Sequence, residues 1–230
     1  MKTKAIFNWS GGKDSALALY KVLETNQLEV VSLLTTINQS VGRVSMHGTS
    51  TELLRYQAKN IGIPLTEMYL PEYANMEDYE QLMKNTLEPF AKKGVNASVF
   101  GDIHLEDLKM YREEKLHKIG WKGYFPLWKK EGEVLMRTFL DLGFKTVVCC
   151  VNENTLSKDF IGVTIDEYFI KNLPKNVDIC GENGEYHTFV YDGPLFQNPL
   201  DIEIGEIIRK TYTHHQEEIG FWFCDILRKK

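Results

Sequence analysis

The chain has 230 residues, 43% of them hydrophobic and 12% aromatic, and a formal net charge of −5. That length and composition support one large domain, or a main domain with a smaller companion. An acidic chain has no general attraction for phosphodiester polymers, so nucleic acid is not an expected partner. Met1-Lys2-Thr3-Lys4 leads straight into an apolar run, without the apolar core of a signal peptide, and no stretch approaches the ~18 residues of a membrane span. The four cysteines, Cys149, Cys150, Cys180 and Cys224, form no C-x-x-C pair, and a reducing cytoplasm is the expected setting.

In chain order, 4–9 reads as a strand and 14–25 as a helix with apolar residues at Leu17, Ala18 and Val22. The near-continuous apolar run 29–37 suits a strand covered on both faces. Helix 50–61, strand 65–70, helix 76–93 ended by Gly94, strand 98–101 and helix 106–119 ended by Gly120 follow. This rhythm implies a doubly wound parallel sheet, whose ligands bind beyond the carboxyl ends of the strands. The second half changes character. Helix 132–142 and strand 146–151 are followed by candidate strands at 186–191, 202–208 and 221–227, which implies a smaller α+β portion. The expected division is 1–128 and 129–230.

The most informative segment is Ser10-Gly11-Gly12-Lys13-Asp14-Ser15, at the junction of the first strand and helix. Two glycines leave the backbone bare, so amides can crowd round a phosphate, and the helix start adds unpaired N–H groups and a positive dipole end. Lys13 brings a cation, while Ser10 and Ser15 bring hydroxyls. Asp14 caps the helix or helps hold Mg²⁺ carried in by a nucleotide. The spacing is neither that of the P-loop nor that of the dinucleotide fingerprint.

Other constellations are weaker. Met46-His47-Gly48-Thr49 follows the second strand, where an adenine would rest; it reads equally well as a polar turn with a helix cap from Thr49 or Ser50. Gly101-Asp102-Ile103-His104 ends the fourth strand of this reading, and Asp102 is either a metal or substrate ligand or the cap of the next helix. The charges of Tyr111-Arg112-Glu113-Glu114 read as a solvated helix face. In Gly181-Glu182-Asn183-Gly184-Glu185, two carboxylates bracket a flexible turn before a strand; they are either solvated acids or a pair able to bind an amine, hold a metal or act as base.

The loop at 10–15 resembles the pyrophosphate loop of the ATP pyrophosphatases, the adenine-nucleotide α-hydrolase (HUP) superfamily. Together with Gly-Asp-Ile at 101–103, Pro126-Leu127-Trp128 and Gly-Glu-Asn-Gly-Glu at 181–185, it resembles the diphthine–ammonia ligase family, from residue 4 to about 200. The family's late motif is usually Glu-Gly-Gly-Glu, and Asn183 stands in place of one glycine. The resemblance implies a HUP-type sheet with a C-terminal domain closing over the cleft. It further implies ATP bound at 10–15, adenylation of a carboxylate, release of pyrophosphate, and ammonia displacing AMP to give an amide. In this reading Lys13, Asp14, Glu182 and Glu185 are catalytic. Ser10, Gly11, Gly12, Lys13, Asp14, Ser15, His47, Gly48, Gly101 and Asp102 bind the nucleotide, and Asp14 and Asp102 hold Mg²⁺. The acceptor, the ammonia source and any homo-oligomer are left open. Two rivals stand beside it: a tRNA-modifying enzyme with the same loop, and a protein that holds ATP or AMP without turnover.

Overall fold

A computed structural model describes residues 2–44, 48–214 and 217–229. The first half is a six-stranded sheet. Strands β1 (Thr3–Asn8), β2 (Leu28–Asn38), β4 (Leu65–Leu70), β5 (Ala97–Val99) and β6 (Lys122–Tyr124) run parallel. The two-residue β3 (Arg43–Val44) pairs antiparallel with the end of β2. β2 lies on one side of β1 and β5 on the other, with β4 beyond β2 and β6 beyond β5. The chain therefore reverses its direction of travel at β1, which makes the gap between β1 and β5 the topological switch point.

Helices α1 (Lys13–Thr25), α2 (Thr51–Ile61), α3 (Met76–Ala91) and α4 (Glu106–Lys118) connect these strands. The period-2 alternation of β1 sorts the core. Ala5, Phe7 and Trp9 join Leu17 and Leu19 of α1 and Leu54 of α2, whereas Ile6 joins Leu87 of α3, Phe100 and Leu116 of α4. The long apolar run of β2 is buried for the same reason, being paired on both edges and covered on both faces. Ser50 caps α2, accepting from the Leu53 amide.

After α5 (Gly132–Asp141) comes the second sheet, antiparallel, in the order β8 (Tyr186–Asp192), β7 (Lys145–Asn152), β10 (Glu217–Arg228) and β9 (Ile202–His214). A short 3₁₀ turn (Lys158–Phe160) and α6 (Glu167–Asn172) fill the β7–β8 connection. Phe139, Phe144, Val148, Tyr186 and Val190 from this half share one continuous core with α1 and α2. The two sheets are thus joined by buried apolar surface, worth roughly 25 cal/mol per Å².

The strands and helices read from the sequence are found, most of them within two residues at each end; β9 and β10 run longer. The short β3, β6 and α6 were not expected. Arg112 departs from the solvated-face reading. Its guanidinium lies 4.4 Å from the centre of the Phe100 ring and 2.8 Å from Asp102 Oδ2. No helix among the described residues is long and apolar enough to cross a membrane.

Candidate active site

The loop is built as its residues require. Gly11 has φ +82°, and a Cβ there would stand 2.8 Å from both Gln57 Oε1 and Leu54 Cδ2, so only glycine fits. Gly12 is the N-cap of α1 with no capping side chain. Ser10 Oγ accepts from the Gly12 amide at 3.2 Å and donates to Ser15 Oγ at 3.1 Å, while Ser15 Oγ donates to the Gly12 carbonyl at 2.9 Å. The loop is rigidified by its own hydroxyls.

Fully buried Gln57 anchors the loop from α2. It accepts from Trp9 Nε1 at 3.0 Å and donates to the carbonyls of Gly11 at 3.0 Å and Val190 at 2.7 Å. The Val190 amide also donates to the Gly11 carbonyl at 2.9 Å, and the Lys13 amide donates to Thr188 Oγ1 at 3.0 Å. The second sheet's β8 is therefore stitched to the loop. Sequence reasoning missed Gln57 and Thr188, because an isolated Gln in a helix and a Thr in a strand carry no local signal.

Lys13 is only 3% exposed. Its ammonium donates to Asp14 Oδ1 and Oδ2, at 2.9 and 2.8 Å, and to the Cys180 carbonyl, and it lies 5.3 Å from the centre of the Tyr186 ring. Burial is the largest single influence and favours the neutral amine, but Asp14, Tyr186 and Cys180 together outweigh it and the pKa is raised, so the cation persists. Asp14 is a partner of Lys13 and not the helix cap.

The third element is the tip of β5. Gly101 packs so closely on the start of α1 that a Cβ would sit 3.1 Å from Ser15 N. Asp102 is mostly buried, and α4 is capped at Leu105 without a side-chain bond, so Asp102 is free of the capping role. Burial pushes its pKa up, Arg112 opposes that, and Asp14 adds to it. Asp102 Oδ2 has the Arg112 cation at 2.8 Å but no aligned hydrogen bond.

The turn at 181–185 returns to the same place. The Ile103 amide donates to Glu182 Oε1 at 2.8 Å, which brings that carboxylate beside Asp102 and Asp14. Burial raises the Glu182 pKa, the Ile103 amide draws it down, and Asp14 pushes it up again. Glu185 is placed differently. It is 4% exposed and its carboxylate accepts from Asp178 N at 3.0 Å, Asn183 N at 3.0 Å and Asn183 Nδ2 at 3.2 Å. Those bonds hold the turn itself. Gly48 lies against Phe223 of β10, its carbonyl accepting from Arg43, which also pairs with Asp225. His47 lies outside the described residues.

The structure thus gathers Ser10 to Ser15, Gly101, Asp102 and Glu182 at one seam between the sheets. Among the described residues no group of three or more His, Cys, Asp or Glu side chains is arranged to hold a metal. Asp14 nevertheless lies near enough for its charge to bear on Asp102, whose buried Oδ2 has the Arg112 cation beside it but no hydrogen bond. That donor set fits Mg²⁺ arriving on a nucleotide, which takes one or two carboxylates and fills its other positions with phosphate and water.

A family model for the diphthamide synthase N-terminal domain matches residues 1–123, and one for the diphthamide synthase C-terminal domain matches 131–228. The chain is 25% identical over 231 residues to diphthine–ammonia ligase of Homo sapiens, covering 86% of this chain and 82% of that protein. It is 26% identical over 224 residues to the rat protein of the same name, with the same coverage. The Schizosaccharomyces pombe protein of that name is 25% identical over 221 residues, which cover 88% of this chain and 36% of the longer yeast chain. With both halves of the molecule matched, the chain belongs to the diphthamide synthase family.

Proposed function

We propose that this protein is an ATP-dependent amide-forming ligase, with residues 129–230 closing over a nucleotide bound to 1–128. The observation that carries the reading is the Ile103–Glu182 bond: it holds a half-buried carboxylate of raised pKa just past β5, near Asp14 of the loop that would hold the triphosphate. The names of the relatives support it. An oxygen of the acceptor carboxylate attacks the α-phosphorus, the bond to the β-phosphate oxygen breaks, and pyrophosphate leaves. Ammonia then attacks the acyl carbon, the bond to AMP breaks, and the nitrogen gives its proton to Glu182.

The loop amides would grip the β- and γ-phosphates at the positive end of α1. Lys13 supplies a fixed positive charge beneath them, held by Asp14 and the Cys180 carbonyl. Bound with the nucleotide, Mg²⁺ would neutralise charge on the departing pyrophosphate, with Asp14 and Asp102 as its protein ligands. Glu185 we assign to holding the turn that carries Glu182.

The sulfur-transferring rival needs a reactive thiolate. All four cysteines are buried, and burial pushes Cys150 and Cys180 up to about 12, Cys224 to about 11 and Cys149 well above the ordinary value. Buried thiols of this kind suit a reducing cytoplasm. ATP–pyrophosphate exchange over a panel of carboxylic acids tests the ligase reading. Exchange with some acid is expected; ATP binding with no exchange for any acid would leave a nucleotide-holding protein instead.

A further inference from the structure

The two edges of the four-stranded sheet are treated differently. The β8 edge is covered by the loop at 10–15: the Val190 amide donates to the Gly11 carbonyl, and Thr188 Oγ1 accepts from the Lys13 amide. The other edge, β9, pairs only with β10 among the described residues. It is 13 residues long and carries no proline. A bulge lies between Ile204 and Ile207, opposite Asp225, and beyond it the ladder runs unbroken. β10 meets β7 only from Phe221 to Phe223, so the far part of the hairpin projects past β7 as a two-stranded ribbon. Such a ribbon is marginal alone in water, and an open edge is a template for another strand.

The side chains beyond the bulge are apolar and charged in a regular order. Ile208, Lys210 and Tyr212 alternate onto one face, opposite Phe223, Phe221 and Ile219 of β10. Ile208 is 36% exposed and Tyr212 51%. The rings of Tyr212, Phe221 and Phe223 lie 5.8–6.4 Å apart. Arg209, on the other face, is tied to Glu153 at 2.6 and 2.7 Å. Among the described residues Glu206 and Lys210 have no ion-pair partner, and the Lys210 ammonium stands 5.7 Å from the centre of the Phe223 ring.

Those two charges select the occupant. Glu206 and Lys210 stand two residues to either side of Ile208. A second copy turned about a two-fold axis through Ile208 sets Glu206 opposite Lys210 of the other copy, Lys210 opposite its Glu206, and Ile208 opposite itself. With the axis at Glu206 or Lys210, like charges would meet; with it at Ile207 or Arg209, both charges would face uncharged residues. The strand is complementary to itself in one antiparallel register.

We propose that β9 is an interface between two copies of this chain, antiparallel about Ile208, which joins the two four-stranded sheets into one of eight strands. A contact one strand wide falls short of the roughly 1,000 Å² of a stable interface, so the dimer is weak and depends on concentration. Neither the pairing nor its test depends on the ligase reading.

Sedimentation velocity from micromolar to submillimolar concentration should show a monomer of 26.6 kDa giving way to a dimer. Glu206→Lys and Lys210→Glu should each weaken the dimer about tenfold, since like charges then face each other. The double reversal should restore it, which a damaged fold would not do. Ile208→Cys should give a covalent dimer with copper–phenanthroline, because facing Cα atoms of a ladder lie about 4.5–5.5 Å apart, within the span of a disulfide. Tyr212→Cys, off the axis, should not. A chain monomeric at every concentration would leave the edge to some other extended segment and overturn the proposal. So would a dimer indifferent to both single reversals, one that the double reversal fails to restore, or one trapped as readily by Tyr212→Cys as by Ile208→Cys.

Discussion

The tip of the parallel sheet and the turn that meets it from the second sheet are built in opposite ways. Residues 10–15 keep the backbone bare: two glycines, hydroxyls folded inward, and the start of α1 without a capping side chain. Residues 178–187 close on themselves, with Glu185 gathering Asp178 and Asn183, and Tyr186 donating to the Ile179 carbonyl. The open element suits a ligand of strong negative charge, and the closed one suits the exact delivery of one side chain. Two glutamates three residues apart therefore have different work. Glu182 leaves the turn to meet Ile103, while Glu185 stays within it.

The sharpest way to break that contrast is to neutralise each glutamate. Glu182→Gln keeps an acceptor for the Ile103 amide but removes the proton acceptor. Amide formation should fall by roughly 10²–10⁴, with pyrophosphate exchange and thermal midpoint near those of the parent. Product formation at the parental rate would remove Glu182 from the chemistry. Next in size is the open loop. Gly11→Ala adds strain at φ +82° to a Cβ 2.8 Å from Gln57 and Leu54, costing about 3 kcal/mol in urea unfolding. Gly94 has φ +79° with nothing within 4 Å of a built Cβ, so Gly94→Ala isolates the backbone share, about 1–2 kcal/mol. Equal losses at the two sites would show that the loop tolerates crowding. Glu185→Gln comes third. One carboxylate oxygen becomes an amide facing the Asn183 N–H, so stability should fall by about 2 kcal/mol while the folded variant turns over normally. A loss of turnover without a loss of stability would return Glu185 to the reaction.

How much of this was legible in the sequence differs between the same two regions. The loop declares itself because phosphate binding demands bare backbone, and bare backbone is spelled Gly-Gly between an apolar run and a helix. The parallel half is legible for a related reason: Ala5 to Phe7 and Leu33 to Leu34 are buried runs that only a covered strand accommodates. The seam was not legible. Gln57, Thr188 and Arg112 act through partners 46 to 175 residues away or across a helix-to-strand gap, and no spacing encodes such contacts. The pairing of Glu182 with Ile103 likewise needed the fold, since solvated acids and a catalytic carboxylate share one local sequence. Strands β3 and β6, two and three residues long, were too short to show a period.

The smallest expected effect per group is alkaline and tests whether the two regions stand or fall together. All four cysteines belong to the second half, and burial raises every one of their pKa values. An unfolded thiol loses its proton near pH 8.5, whereas the folded thiols keep theirs. Between those limits the folded state binds more protons than the unfolded one, so stability falls as pH rises. Lys13 works in the same sense, but its contribution is fully present below the ordinary lysine pKa, near 10.4, and falls only as pH rises beyond it. Between pH 8 and pH 9 the unfolding free energy should therefore drop by roughly 0.7 kcal/mol for each thiol, about 3 kcal/mol for the four, the thiols alone being responsible. The core joining Phe7 and Leu17 to Phe144 and Val190 predicts one transition, seen alike by near-ultraviolet circular dichroism and by tryptophan fluorescence. A second half that melted first would mean that the seam, for all its hydrogen bonds, does not couple the sheets. A midpoint unmoved by pH would mean that the thiols are solvated in the folded state, and the sulfur-transfer reading would regain its reactive groups.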